Sequence, residues 1–500
     1  MLPTEPPRAL WVTNAELLAH LTLLNAFHHL RELRPEPEFL HMALFRFELW
    51  VARLTPEPFD VETLPPLDVL MVWHAYCLTS RAYYEDSRRL YPVLHTIEFP
   101  LALAANQYLR PRQKADPLRV AIPHQAITNW FESTNTNYCP NGFFNNPSLR
   151  TFLCPICKSA INSPFTNATQ TGWAESYNCR LQCEDCGWKG TKSDLAAHRL
   201  LYDIQSLSSS PPSDSASLAG TLTTTKTLED KQHAATFNLL VTRILASIAP
   251  SSVKQRLHDP QAAIQTIKVL TAVPKISSTD GVNQMLSAYS VPEPFSTDLI
   301  VAMTRQESFT KSVVDLGWTE AACSRDVEAV SQITYSGFAI NRAVSRYQAF
   351  VELLKVRDGT SFDICIPTYD IDLAWRTHQL MGVRYSKEMF SFLGRSIDQL
   401  SFPHPSWAFQ LKLTQDYYLN SFTERVSDQP TLNALFQSTA KAWERVHEVP
   451  YSQYPAPEYS LEKPYPLLKL KLTTPQTKAP QENPGDRKPG VRFVINEPKA

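Results

Sequence analysis

Behind Thr13-Asn-Ala-Glu16, apolar residues fall at Leu17, Leu21, Leu24 and Phe27, the three-and-four spacing of one helix face. Thr13 and Glu16 fit a capping box, in which hydroxyl and carboxylate each satisfy a free backbone N–H at the helix start. The pattern predicts an amphipathic helix of about five turns. A second helix is predicted after Pro37, with Leu40, Leu44, Phe47 and Val51 on one face, and a third from Val69 to Tyr84. Helical periodicity resumes near Glu229 and is clearest at Ile340, Val344, Tyr347, Val351 and Leu354, a stripe that reads as core packing. A last helix is predicted from about Thr431 to Val446, carrying Leu435, Ala442 and Trp443.

Other stretches lack this rhythm. From Gln205 to Leu228, 12 of 24 residues are Ser or Thr and Pro211-Pro212 sits among them, a composition that predicts a flexible linker. Beyond Pro455 the chain turns Pro-rich, and residues 462–500 hold eight Lys/Arg against four Asp/Glu, which predicts a disordered, weakly basic tail. The expected organisation is a helical domain over 1–138, a cysteine-dense module over 139–204, a linker over 205–228, a second helical domain over 229–455 and a tail over 456–500.

Composition agrees with an α-rich chain. Gly is scarce at 13 and Pro abundant at 39, which suits helices parted by stiff connections better than a sheet-rich fold with many tight turns. With 48 Lys/Arg against 49 Asp/Glu, no global charge points to nucleic acid or membrane. No stretch reaches the length that spans a bilayer, and Met1-Leu-Pro-Thr-Glu-Pro-Pro lacks a basic segment followed by an apolar run. The expectation is an intracellular protein, cytoplasmic or nuclear, without a membrane partner.

Nine Cys is an odd number, and five of them crowd between 154 and 186. Cys154-Pro-Ile-Cys157 and Cys183-Glu-Asp-Cys186 are two C-x-x-C pairs with 25 residues between them, each able to place two thiolates on one turn. Together they predict a closed, structural Zn2+ site whose metal contributes folding energy to a small ribbon. Gly187 can take the positive φ that turns backbone N–H groups toward the sulfurs. Cys179 and His198 are alternative ligands that rank as bystanders, while Trp173, Tyr177 and Trp188 are expected to cover the site. Residues 151–202 hold five Lys/Arg against four Asp/Glu, so the ribbon lacks the charge of a phosphate-binding surface.

Two distant segments repeat a pattern. Asp68, Trp73, Leu78 and Tyr83 match Asp370, Trp375, Leu380 and Tyr385 offset for offset, with Asp372 beside the second Asp. On a helix Trp73 and Tyr76 share a face, as do Trp375 and His378. The fold class expected is mostly α: two helical halves with related Trp/His motif helices and an inserted zinc-ribbon-like module.

At these residues the chain resembles the glycine-rich domain-containing protein-like family of plants and fungi, whose members carry a Trp-His-x-His-x-Leu motif twice. Pro367-Thr-Tyr-Asp370-Ile-Asp-Leu-Ala-Trp375 carries the resemblance most closely, with Arg346-Tyr347-x-x-Phe350, Asp315-Leu-Gly-Trp318, Ala440-Lys-Ala-Trp443 and Val449-Pro-Tyr451 around it. The family's motifs become Trp73-His74-Ala-Tyr76 and Trp375-Arg376-Thr-His378, each copy keeping one His at a different place. Ser452-Gln-Tyr-Pro455 stands where the family tends to show Cys-Gly-Cys, and no glycine-rich segment is present. The resemblance implies links to stress responses and development but supplies no reaction.

No phosphate loop, nucleophile elbow or His-Glu-x-x-His helix occurs in the chain, and no catalytic residue is assigned. The reading favoured is a non-enzymatic interaction or regulatory protein whose helical platform binds protein partners. A second is a hydrolase or metal-dependent enzyme using His378 with Asp370 or Asp372, and His74 with Asp68, across one shared cleft. A third is nucleic-acid binding through the zinc module and the tail cations Lys469, Lys471, Lys478, Arg487, Lys488 and Arg492.

Overall fold

The computed structural model describes residues 11–108, 122–138, 149–176, 179–209, 217–224, 226–248, 280–323, 327–356, 365–395, 397 and 429–451. The capping box forms as predicted: Thr13 N–H donates to the Glu16 carboxylate at 2.7 Å and Glu16 N–H to the Thr13 hydroxyl at 3.3 Å. It opens α1 (Asn14–Leu33), which buries Leu17, Leu21, Leu24 and Phe27. After it, α2 (Pro37–Val51) buries Leu40, Leu44, Phe47 and Val51.

The helix expected from Val69 to Tyr84 is two, α3 (Leu67–Cys77) and α4 (Ser80–Arg89). The break sits at Thr79, whose hydroxyl and backbone N–H both donate to the Tyr76 carbonyl, at 2.7 and 2.9 Å. A Thr hydroxyl competes in this way for a carbonyl the helix would otherwise use. Then follow α5 (Leu101–Tyr108) and α6 (His124–Thr134).

Two small antiparallel hairpins come next. In one, β1 (Leu149–Leu153) pairs with β2 (Ala160–Pro164), Leu149 opposite Pro164. In the other, β3 (Leu181–Gln182) pairs with β4 (Lys189–Gly190). They enclose a minor core of Ile161, Phe165, Trp173, Leu181 and Trp188 around buried Cys154, Cys179 and Cys183.

The chain continues through α7 (Lys192–Ser209), α8 (Lys231–Ile248) and α9 (Asp280–Ala288), which share a second small core. The second helical region comprises α10 (Leu299–Asp315), α11 (Trp318–Cys323), α12 (Val327–Val356), α13 (Tyr369–Gln379), α14 (Val383–Leu393) and α15 (Gln429–His447). On α12, Val344, Tyr347, Val351 and Leu354 are buried as the stripe predicted, while the Ile340 side chain lies outside the described residues.

Two corrections to the expected organisation follow. First, the Ser/Thr-rich stretch is packed where it is described. Residues 205–209 finish α7, and Leu218, Ala219, Thr221 and Thr223 are buried. The cause is Glu85 of α4, whose carboxylate accepts the backbone N–H of Gly220 at 2.8 Å and of Thr223 at 2.7 Å. A distant carboxylate thus supplies the ordering energy that local composition lacks. Second, the residues assigned to two helical domains, expected as halves packing against one another, build one continuous core. A single apolar cluster runs from Val12 to Tyr138 and from Phe295 to Tyr451. Helix α1 packs against α3 and α5 and equally against α10, α11, α12 and α13, because its buried face is broad enough to serve both sets. The tail, with the six cations named for nucleic-acid binding, lies outside the described residues. Among those described, no helix is long and apolar enough to cross a membrane.

Candidate metal centre and motif helices

Each C-x-x-C pair caps one hairpin, and the two turns are built alike. At the first, Lys158 N–H donates to the Cys154 carbonyl at 3.1 Å and Cys154 N–H to that of Ser159 at 2.7 Å. At the second, Gly187 N–H donates to the Cys183 carbonyl at 2.9 Å and Cys183 N–H to that of Trp188 at 2.8 Å. Both turns need a left-handed residue, Lys158 at φ 67° and Gly187 at φ 75°. Glycine takes this conformation freely, whereas lysine does so under strain.

The four sulfurs of Cys154, Cys157, Cys183 and Cys186 lie within 4.8 Å of one another. Cys154 Sγ is 3.6 Å from Cys186 Sγ, and Cys157 Sγ is 3.5 Å from Cys183 Sγ. Four thiolates about 2.3 Å from a tetrahedral ion sit about 3.8 Å apart, so the cage has the size and the soft donors of a four-sulfur metal site. Hydrogen bonds from Ser159 hold the Cys157 thiol down to about 6, while burial pushes the Cys154 thiol up. The bystanders stand apart from the four: Cys179 Sγ meets the Ser163 hydroxyl at 3.5 Å, and the His198 ring packs edge-on against Trp188. Trp173 and Trp188 are buried in the module, whereas Tyr177 lies outside the described residues.

The module is fastened to α2. One Arg150 nitrogen reaches both Glu48 carboxylate oxygens, at 2.8 and 2.9 Å, and its guanidinium lies over the rings of Phe45 and Trp173. Burial raises Glu48 to about 7 against the pull of Arg150.

The motif helices carry a second constellation, and it occurs twice. In the first copy Asp68 of α3 pairs with Arg46 of α2 at 2.7 Å, both buried. Arg46 also donates to the Asn137 and Tyr138 carbonyls and lies under the Trp130 ring. The Tyr138 hydroxyl donates to the Leu64 carbonyl at 3.0 Å. In the second copy Asp370 of α13 pairs with Arg346 of α12 at 2.7 Å. Arg346 donates to the Tyr451 carbonyl and lies over Trp443, and the Tyr451 hydroxyl donates to the Ile366 carbonyl at 2.7 Å. Within each copy, Trp Nε1 donates to a Tyr hydroxyl ten residues on: Trp73 to Tyr83 at 3.3 Å, Trp375 to Tyr385 at 2.7 Å. One register position differs. Tyr76 donates to Asp86 at 2.7 Å, whereas His378 Nε2 lies 2.7 Å from Glu388.

The predicted His–Asp pairs do not form as such. Asp68 and Asp370 are held by Arg46 and Arg346, and Asp372 by Arg376 at 3.0 Å. His378 instead meets Glu388 through Nε2 and the Tyr347 hydroxyl through Nδ1 at 2.8 Å, with Trp11 stacked on its ring. His74 meets His20 of α1, Nε2 to Nε2 at 2.8 Å, and His20 Nδ1 lies 2.8 Å from the Thr377 hydroxyl. Because Thr377 spends its proton on the Leu373 carbonyl, His20 Nδ1 must donate and its Nε2 must accept from His74. This chain works only with the His20 ring neutral, since its Nε2 must accept. Burial enforces that, lowering His20 to about 3 and His74 well below the usual histidine value. Burial also lowers His378, against the opposing pull of Glu388.

Arg46, His20, Asp86, Glu388, Trp130 and Tyr138 were not singled out from sequence. The eight-residue interval common to Trp130–Tyr138 and Trp443–Tyr451, and the acids ten residues beyond Tyr76 and His378, are the signals that find most of them.

Fold and sites thus define a mainly helical protein with two matching Trp-helix clamps in one core and a four-cysteine cluster docked beside it. Residues 268–388 match the family model for glycine-rich domain-containing protein-like proteins, and that segment supports the resemblance. The chain is 33% identical over 102 residues to glycine-rich domain-containing protein 2 of Arabidopsis thaliana, a stretch covering 20% of this chain and 11% of that protein. It is 39% identical over 64 residues to glycine-rich domain-containing protein 1 of the same plant, covering 13% of this chain and 8% of that one. The aligned stretches therefore span about a tenth of the curated relatives. No solved structure matches. The family match contains the second clamp's Asp370, Trp375 and His378 but stops short of Trp443 and Tyr451, and the whole first clamp lies outside it.

Proposed function

We propose that this chain is a non-enzymatic intracellular scaffold for protein partners, built from two copies of one helical unit and braced by structural Zn2+ in a ribbon formed by Cys154, Cys157, Cys183 and Cys186. The observation that carries the reading is where the motif residues spend their chemistry. Asp68 and Asp370 hold arginines of a neighbouring helix, His74 and His378 reach other helices, and Asp372 steadies Arg376 of its own helix, which donates to Gln306 of α10, so the polar groups of the repeated motif serve helix-to-helix contacts. Groups used this way rigidify a platform. Zinc is the favoured ion because a closed set of four thiolates selects it over harder cations and leaves no position for substrate. When bound, zinc supplies cohesion to hairpins too short to hold themselves together.

Elemental analysis of the purified full chain should find one zinc per molecule, and Cys183→Ser should lose both the metal and part of the thermal stability. A partner captured by the intact chain should be released when a chelator removes the zinc. A metal-free wild type that melts like the zinc-reconstituted protein would overturn the brace. A turnover abolished by His378→Gln without loss of stability would overturn the non-enzymatic reading.

A further inference from the structure

The four cysteines are not equivalent toward solvent. Cys154 and Cys183 are buried, whereas Cys157 and Cys186 are exposed. Each exposed sulfur approaches a buried sulfur of the opposite hairpin, Cys157 toward Cys183 at 3.5 Å and Cys186 toward Cys154 at 3.6 Å. A water-soluble oxidant therefore meets one member of each cross-hairpin pair first, with its partner sulfur directly behind it. Access and thiolate character are the two conditions for oxidation of a cysteine, and a metal-bound thiolate meets the second.

We infer that this cluster is a peroxide-sensitive zinc switch, in which oxidation joins Cys157 to Cys183, or Cys186 to Cys154, and expels the ion. The inference rests on the zinc reading above. The Cys157 thiolate attacks a peroxide oxygen; the O–O bond breaks, a sulfenic acid forms and hydroxide leaves to be protonated to water. The Cys183 thiolate then attacks the sulfenic sulfur, forming the S–S bond and displacing a second hydroxide, which is protonated likewise. Two thiolates lose two electrons in all, the peroxide gains them, and the site keeps two thiolates, too few to close a tetrahedron about zinc. The hairpin turns, with their own backbone hydrogen bonds, remain joined by the new bond in place of the metal.

The test uses the full-length, zinc-loaded protein. Hydrogen peroxide is added in the presence of a chromogenic zinc chelator, and disulfides are mapped by peptide mass spectrometry. Zinc release should accompany a cross-hairpin disulfide, Cys157–Cys183 or Cys154–Cys186, and dithiothreitol with added zinc should restore the starting state. Ser159→Ala, which leaves all four ligands in place, should change the release rate several-fold because Ser159 hydrogen-bonds the Cys157 sulfur. Zinc retained under peroxide that oxidises an exposed free thiol would overturn the switch. So would disulfides confined within one C-x-x-C pair, or irreversible sulfonic acids with no disulfide. Elemental analysis beforehand separates the two failures: protein that holds no zinc defeats the zinc reading, whereas zinc that is held but not released defeats the switch alone.

Discussion

The two motif helices sit in near-identical clamps yet differ in what the clamp seals. Around α3, Tyr76 and Asp86 are wholly buried, and Asp86 also accepts the backbone N–H and the hydroxyl of Ser296 while Phe295 packs edge-on against Tyr76. Around α13, His378 is buried but its partner Glu388 is 35% exposed, and Trp11 stacks over the imidazole. The ring covering each copy comes from a distant segment: Phe295 leads into α10 and serves the first copy, while Trp11 leads into α1 and serves the second. The difference teaches that the Arg–Asp–Trp–Tyr frame is what the architecture requires. The position eight residues after the Asp is free to change from a tyrosine to a histidine.

The largest effect expected from this comparison concerns the arginines. Removing one partner of a fully buried ion pair strands the other, so Arg46→Ala should cost about 4 kcal/mol in urea unfolding. Arg346→Ala should cost about 2 kcal/mol, because Asp370 is 18% exposed and water can take up part of its charge. Equal losses would break the distinction between a sealed and a half-open clamp.

Acid should act through the His20–His74 chain. His20 has a folded value of about 3 against 6.5 unfolded, so the unfolded state binds more protons between those values. Its contribution is present above pH 6.5 and is lost as pH falls, by about 2 kcal/mol at pH 5. Glu48, raised to about 7, works in the opposite direction, which makes a difference measurement necessary. The stability gap between wild type and His20→Asn should shrink by about 2 kcal/mol from pH 7.5 to pH 5. A gap that does not move with pH would show that His20 is not held neutral.

Two smaller effects sharpen the account. Tyr347→Phe should cost about 1 kcal/mol through the lost bond to His378. The first copy already has Phe47 at the position after its arginine, packed edge-on against Tyr76, so the second clamp should tolerate the change. A similar inequality separates the hairpin turns. Lys158→Gly should stabilise the chain by about 0.5–1 kcal/mol, since only lysine is strained at that positive φ. Calorimetry that finds destabilisation would contradict the turn geometry.

Much of this was legible in the chain. The offsets from Asp68 and Asp370 located both motif helices, and the C-x-x-C spacing located all four sulfurs. Most of what escaped shares one physical cause, long separation. Glu85 orders Gly220 and Thr223 from 135 and 138 residues away, which no local composition reveals. His20 meets His74 across 54 residues and Thr377 across 357. Arg346 was named for the resemblance, but its pairing with Asp370, and Arg46 altogether, escaped for another reason: Arg46 precedes its Asp by 22 residues and Arg346 by 24, so offsets counted from the Asp do not align them.

The account stands on two matching clamps holding one shared core. Amide hydrogen exchange read by mass spectrometry on wild type and Arg46→Ala tests this most directly. If the core is shared, peptides from α3 and from α13 should lose protection together, by the same free energy, when Arg46 is removed. Loss of protection confined to α3, with α13 as slow as in wild type, would contradict it.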